Sequence, residues 1–327
     1  MSDQIIPSTP LAPSSPHSSP PRQACAADAP FDDPHADVII RSSNEIDFRV
    51  HKLILSLASP FFKSMFSLPQ PPPITSSVSA YEQTNTIPVI PVTEDSSTLS
   101  TLLRSCYTRD WQEVQMDLND VWRILLAAEK YEMQSLKGLS MGPLMLTVDE
   151  NPLGVYAVAC RFGSPEMAAY AARASLKSPT FACRSPWLTT ISGLQYHDLL
   201  QYRHECTLAA ITVLSDPRWF SSCPDLLYER ALGMGLCLTC YCPVGTHARW
   251  FAPKFVNEYL AAVALALKDS PCGETVRNLD VPMPTDTECE RCNGRQWLKS
   301  IPGTAKLVQV LAIEVDKVVS LVPPSKI

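Results

Sequence analysis

The segment from Ala36 to Leu68 leaves the chain little conformational freedom. Asp37 to Arg41 is a short β-branched run, Ser42-Ser43-Asn44 supplies turn chemistry, and Ile46 to Val50 resumes with strict alternation, so the spacing predicts a β-hairpin. Ile46, Phe48 and Val50 fall on one face of that hairpin. After His51-Lys52 the apolar period changes from two to about 3.6 residues, which puts Leu53, Ile54, Leu57 and Ala58 on one helical face. Ser59-Pro60 is the pattern of an N-cap followed by proline at the first helical position. The helix it opens is expected to place Phe61, Phe62, Met65 and Phe66 in a core. On residues alone this is a compact αβ unit.

The flanks are different in kind. Residues 1–34 hold eight prolines and six serines, too few large apolar groups to offset ordering entropy, so a disordered tail is expected there. Ser15-Pro16 and Ser19-Pro20 are candidate proline-directed modification or docking sites within it. Residues 69–86 are again rich in Pro, Ser and Thr, and no helix continues through Pro71-Pro72-Pro73. They read as a surface-loop insertion, which closure entropy tolerates well. Ile87 to Val92 fits a third strand, confined to an edge by Pro88 and Pro91. Two helices follow. In the first, Leu99, Leu102, Leu103 and Cys106 share a face and Tyr107-Thr108 ends it. The second is capped at Asn119-Asp120 and striped by Val121, Ile124, Leu125, Ala128 and Tyr131. A short helix is expected near 134–140.

So ordered a set of residue types resembles the BTB/POZ family. The residues that carry the resemblance are Asp37, Phe48, His51, Lys52, Leu55, Ser59, Phe62, Met65 and Phe66, and it extends over residues 35–142, less the insertion. The resemblance implies an α+β fold, a small sheet with helices packed round it, and a protein–protein interaction module rather than an enzyme: a scaffold or adaptor. It implies a homodimer or a cullin-type ubiquitin ligase as partner, or a role in transcriptional regulation. It also implies a charged pocket in which Asp37 pairs with Arg49, beside His51. Phe66, Tyr81 and Tyr107 are the aromatic candidates for partner contact. Cullin-binding members carry a hydrophobic-x-Glu element before the third strand. Here the near match is Ala80-Tyr81-Glu82, while Val92-Thr93-Glu94 fits by letters but follows the strand. The helix and strand that precede the Asp strand in many dimeric members are not evident.

Residues 143–322 read as mainly α-helical. Helices are expected from Asn151-Pro152 to Phe162, from Pro165 through the Ala-rich run, and from Gly193 to Leu214, the last carrying Leu194, Leu199, Leu200, Leu208, Ala209 and Ile211. The block Tyr196 to His204 resembles BTB proteins of higher fungi. His197 and His204 lie two helical turns apart, too far for a tight metal pair, and read as structural. A helix with Val256, Leu260, Val263, Ala264 and Leu267 follows, and a last one with Leu307, Leu311, Glu314 or Val315, and Val318. Two C-x-x-C pairs, Cys237-Leu238-Thr239-Cys240 and Cys289-Glu290-Arg291-Cys292, supply four thiolates for a structural zinc, although the 48 residues between the pairs exceed the spacing of compact zinc ribbons. Buried free thiols, or a redox pair, are the alternatives.

Composition narrows the function classes. The 327 residues are 46% hydrophobic and 18% charged, enough for two domains, and the net charge of −6 argues against a nucleic-acid partner. No apolar run is long enough to span a membrane. The start lacks a basic region followed by an apolar one, so the twelve cysteines read as reduced thiols or ligands and the location as cytoplasm or nucleus. With eleven glycines and no GxGxxG, Walker, GxSxG or HExxH motif, an enzyme has no comparable support. A zinc-dependent or thiol enzyme in the C-terminal half is the alternative reading.

Overall fold

A computed structural model describes residues 25–69, 87–107, 116–139, 141–179, 184–224, 226–229, 240–244, 247–280 and 303–324. Two compact units divide the chain. One comprises residues 1–111 with 126–136, the other 112–125 with 137–327.

The first unit is built on a four-stranded mixed sheet. Its strands are β1 (Cys25–Ala26), β2 (Val38–Arg41), β3 (Ile46–Val50) and β4 (Val89–Pro91), in the order β1-β3-β2-β4. The predicted hairpin is there, with Val38 opposite Val50, Ile40 opposite Phe48 and Arg41 opposite Asp47. Val38, Ile40, Phe48 and Val50 are buried, as alternation demands. The turn is closed by Ser42, whose backbone N–H donates to Ile46 O at 3.0 Å and whose hydroxyl accepts from Ile46 N. Glu45 takes the left-handed conformation there, with φ 64°. Strand β4 lies at an edge, parallel to β2, which suits its prolines.

Helices α1 (Lys52–Ala58), α2 (Pro60–Ser67) and α3 (Ser96–Tyr107) belong to this unit. Ser59 caps α2 as expected, its Oγ accepting from Phe62 N at 3.1 Å, with Pro60 in the first turn. Leu99, Leu102 and Leu103 of α3 are fully buried. Helix α4 (Leu118–Lys130) begins earlier than the Asn119-Asp120 cap predicts. Asp117 starts it, accepting from Asp120 N at 2.8 Å, and the hydrogen bond from Asp120 N holds the Asp117 carboxyl below its usual range. Its stripe is buried as expected, and α5 (Gln134–Leu139) follows.

Two expectations fail in this unit. The Pro-rich tail was expected to run to residue 34, but residues 25–34 have a defined structure. Phe31 is 1% exposed, its ring 5.5 Å from Phe48 and 5.7 Å from Tyr107, and its carbonyl accepts from Arg49 N. One large aromatic side chain offsets the polar composition around it. The expected burial of α2 also fails. Phe62 alone is fully buried, Phe61 is 37% exposed, and Met65 and Phe66 are half-buried. The residues expected in the tail before 25 and in the loop 70–86 lie outside the described residues.

The second unit is mostly helical, with α6 (Met141–Thr147), α7 (Pro152–Arg161), α8 (Pro165–Ala174), α9 (Gly193–Val213), α10 (Lys254–Asp269), α11 (Gly273–Asn278) and α12 (Gly303–Ser320). Asn151 caps α7, accepting from Gly154 N at 2.9 Å. Residues 152–159 of α7 are all buried. A side chain on Gly154 would come within 2.5 Å of Leu118 Cδ2 and 2.7 Å of Asn151 Nδ2, so the capping side chain would have to shift to admit it. The α7–α8 turn uses Gly163 at φ 70°. Ser192 and Gln195 form a capping box on α9.

The periodicity of α9 is misleading. Leu194 and Leu208 are 70% and 54% exposed, and the buried side is Leu199, Tyr202, Arg203, Cys206, Ala210 and Val213. Arg203 donates through Nη1 to Ser175 O and Ser175 Oγ, and through Nη2 to Ser178 O (2.7 Å) and Asp269 O (3.0 Å). Its guanidinium thus satisfies carbonyls at the end of α10 and in the segment after α8. The sequence reading also omits a three-stranded antiparallel sheet, β5 (Tyr228–Glu229), β6 (Tyr241–Val244) and β7 (His247–Pro253), in the order β5-β7-β6. The predicted stripes of α10 and α12 are buried at Val256, Leu260, Val263 and Leu267, and at Leu307, Leu311 and Val315.

Candidate functional site

The start of α1 gathers three of the residues singled out in the sequence. The first backbone N–H groups of a helix lack internal partners, and His51 at the N-cap position supplies no side-chain cap. Two distant groups take over. Tyr107 Oη accepts from His51 N at 2.7 Å, and Asp37 Oδ1 accepts from Lys52 N at 2.8 Å. The His51 ring lies between Tyr107 Oη, 3.2 Å from Nδ1, and Asp33 Oδ2, 3.5 Å from Nε2. Burial pushes the Tyr107 hydroxyl above its ordinary pKa, so it stays neutral. Asp37, His51 and Tyr107 are therefore internal supports of α1.

The expected Asp37–Arg49 ion pair is not among those of the described residues. The register explains this: Arg49 sits opposite Ile39, and Asp37 lies beyond the paired stretch and turns to the α1 backbone. The strand ion pair is instead Arg41–Asp47, directly cross-strand and bidentate, with Nε–Oδ1 at 2.6 Å and Nη2–Oδ2 at 2.8 Å. The hydrogen bond from Arg41 to Asp47 raises the arginine's pKa further.

What these supports hold out is an apolar row. Leu53 and Leu57, one helical turn apart, are 71% and 80% exposed, while α1 turns Leu55 inward at 0%. The face that periodicity marks on α1 is thus the outward one. Phe66, half-buried, stacks on Phe62 with centroids 5.9 Å apart, so it is partly a core residue. Tyr81 and the Ala80-Tyr81-Glu82 element lie outside the described residues.

Glu94, of Val92-Thr93-Glu94, is committed internally. Lys130 Nζ donates to Oε1 at 2.8 Å and Tyr131 Oη to Oε2 at 2.5 Å. Tyr131 in turn stacks on Phe62 at 4.9 Å, and its carbonyl accepts from Ser59 Oγ. This carboxylate is engaged by contacts within the unit.

Of the four proposed zinc ligands, Cys240 is described and Cys237, Cys289 and Cys292 lie outside the described residues. Cys240 immediately precedes β6, and Asn257 Nδ2 donates to the neighbouring Cys242 Sγ at 3.1 Å. Among the described residues no three His, Cys, Asp or Glu side chains converge on a metal-sized site. His197 and His204 are both exposed on α9. No described helix is long and apolar enough to cross a membrane.

A hairpin thus leads into two helices, the first of which presents exposed leucines. Residues 30–141 match the family model of the BTB/POZ domain, and this part of the chain is a BTB/POZ domain. The match takes in Phe31, as the structure does. No curated protein matches the chain.

Proposed function

We propose that the chain is a scaffold or adaptor whose BTB/POZ domain binds protein through the Leu53–Leu57 row, with a second copy of the chain as its first partner. The observation that carries this is the row itself. Two leucines this exposed on one face of a helix, whose start is fixed by Tyr107 and Asp37, present apolar area already ordered for docking. A cullin partner, and with it the ligase-adaptor role, is the second reading, and the internal commitment of Glu94 counts against it.

The test is the mass of the full chain in solution by light scattering, beside Leu57→Glu. The wild type is expected to form a dimer at micromolar concentration. Leu57→Glu is expected to weaken association by tenfold or more, about 1.4 kcal/mol or above, with a native circular dichroism spectrum because the side chain is exposed in the single chain. Co-purification with a cullin N-terminal domain, with and without Tyr81→Ala, separates the second reading. A wild-type monomer that also leaves the cullin unbound would remove both partners.

For the cysteine pairs we propose a structural zinc held by Cys237, Cys240, Cys289 and Cys292. Four protein ligands leave no open coordination position, so the ion would serve folding and not turnover. Elemental analysis is expected to find about one zinc per chain, and chelation to loosen the C-terminal unit while sparing residues 35–142. Purified chain without metal rejects the site.

A further inference from the structure

The turn between α7 and α8 borders a half-open hollow of about 180 Å³. Its walls are small: Gly163, Pro165 and Ala168 leave the space that larger residues would fill. Four residues with polar side chains line it, Tyr156, Cys160, Ser164 and Gln195. Two of these have spare capacity. Ser164 stands at the N-cap position of α8, yet its hydroxyl makes no capping bond and has no partner among the described residues. Gln195 uses Oε1 to accept from Ser192 N and Ser192 Oγ, which leaves Nε2 without a partner among the described residues. Tyr156 Oη is held in place by donating to Gln195 O at 2.7 Å. The charged residues around it are of both signs: Glu166 is exposed in the first turn of α8, Asp198 acts electrostatically on Tyr156, and Arg161 follows Cys160 at the end of α7, so an ion of neither sign is favoured.

We propose that this hollow binds a small neutral molecule with an apolar, ring-sized body and one hydrogen-bond-accepting carbonyl, seated on Ser164 Oγ and Gln195 Nε2. At interior packing density of about 0.74, the space holds roughly 130 Å³ of ligand, an aromatic ring with an amide or ketone head. The apolar walls take the ring, and the two free donors give the carbonyl its orientation. The site lies in the second unit and stands independently of the leucine row.

Cys160 reports occupancy, because it lines the hollow and is half-buried. The experiment measures the alkylation rate of Cys160 in the full chain by peptide-resolved mass spectrometry, with benzamide as probe and toluene and benzoate as comparators. Benzamide is expected to slow alkylation saturably and to outperform both comparators. Ser164→Ala is expected to weaken benzamide about fivefold, the worth of one hydrogen bond, without shifting the melting curve. A second readout is saturation-transfer NMR on benzamide, which a hollow-filling Cys160→Phe variant should abolish while its circular dichroism stays native. Unaltered alkylation at millimolar benzamide overturns the proposal. So does equal protection by toluene with no effect of Ser164→Ala, or stronger protection by benzoate.

Discussion

Arg203→Met is expected to destabilise the helical unit by about 1–3 kcal/mol, because it strands the buried Ser175 acceptor and removes the bonds to Ser178 and Asp269. The guanidinium is 5% exposed and serves Ser175, Ser178 and Asp269. Methionine refills much of the volume but offers no donor, so the buried Ser175 carbonyl loses this partner while those of Ser178 and Asp269 can turn to water. Arg203→Lys keeps the charge and loses the planar fork, so it can serve fewer of these oxygens, and about half of the loss is expected. Urea unfolding followed by circular dichroism reads both. A Met variant with an unchanged midpoint would show that these carbonyls are hydrated in solution.

Tyr131→Ala is expected to cost the BTB/POZ unit about 3–5 kcal/mol, the range for deleting a buried aromatic ring. The ring is 2% exposed, stacked on Phe62, with Phe61 edge-on at 5.5 Å. Tyr131→Phe keeps that packing and removes only the bond to Glu94, so about 1–2 kcal/mol is expected. The pair also sets an acid dependence. Desolvation acts to raise the pKa of Glu94, but hydrogen bonds from Lys130 and Tyr131 outweigh it and hold the carboxyl below its ordinary value. A carboxyl lowered on folding stabilises above its unfolded pKa, and the contribution is lost as pH falls through the lowered, folded one. Thermal melts of wild type should therefore fall off with acid more steeply than those of Tyr131→Phe.

Local signals in the sequence were reliable where one residue type has one mechanical job. Ser59-Pro60 opened a helix, Gly163 with Pro165 separated two, and Pro88 and Pro91 marked an edge strand. Periodicity was reliable for the existence of a helix and poor for its orientation. It marked Leu53 and Leu57 on a face, but it cannot say whether another element covers that face. Arg203 was illegible for a related reason. A charged residue in a helix reads as solvated until the distant carbonyls that pay for its burial are in place. Phe31 was hidden by the prolines and serines before it, and β6 and β7 by a cysteine-rich stretch whose spacing suggested metal knuckles. In the site, the resemblance put Asp37 with Arg49 beside His51 and gave Tyr107 apart as an aromatic contact candidate; the structure brings Asp37, His51 and Tyr107 to the start of α1 and leaves Arg49 elsewhere. Their work, holding the α1 backbone, depends on a strand register that types and spacing do not fix.

The parallel pairing of β4 with β2 bears on the order in which this domain assembles. Strands β2 and β3 meet across the short Ser42–Glu45 turn, a closure on the microsecond scale of hairpins. Ile90 reaches Ile40 only after both helices α1 and α2 and the Pro-rich stretch have been spanned, so the loop entropy falls due before any contact repays it. The hairpin with α1 and α2 is the natural nucleus, and β4 closes the sheet afterwards. Substitutions in β4 should then speed unfolding and leave the refolding rate nearly untouched, whereas substitutions at Phe48 or Phe62 should slow refolding. The insertion lengthens the one connection that the nucleus does not need.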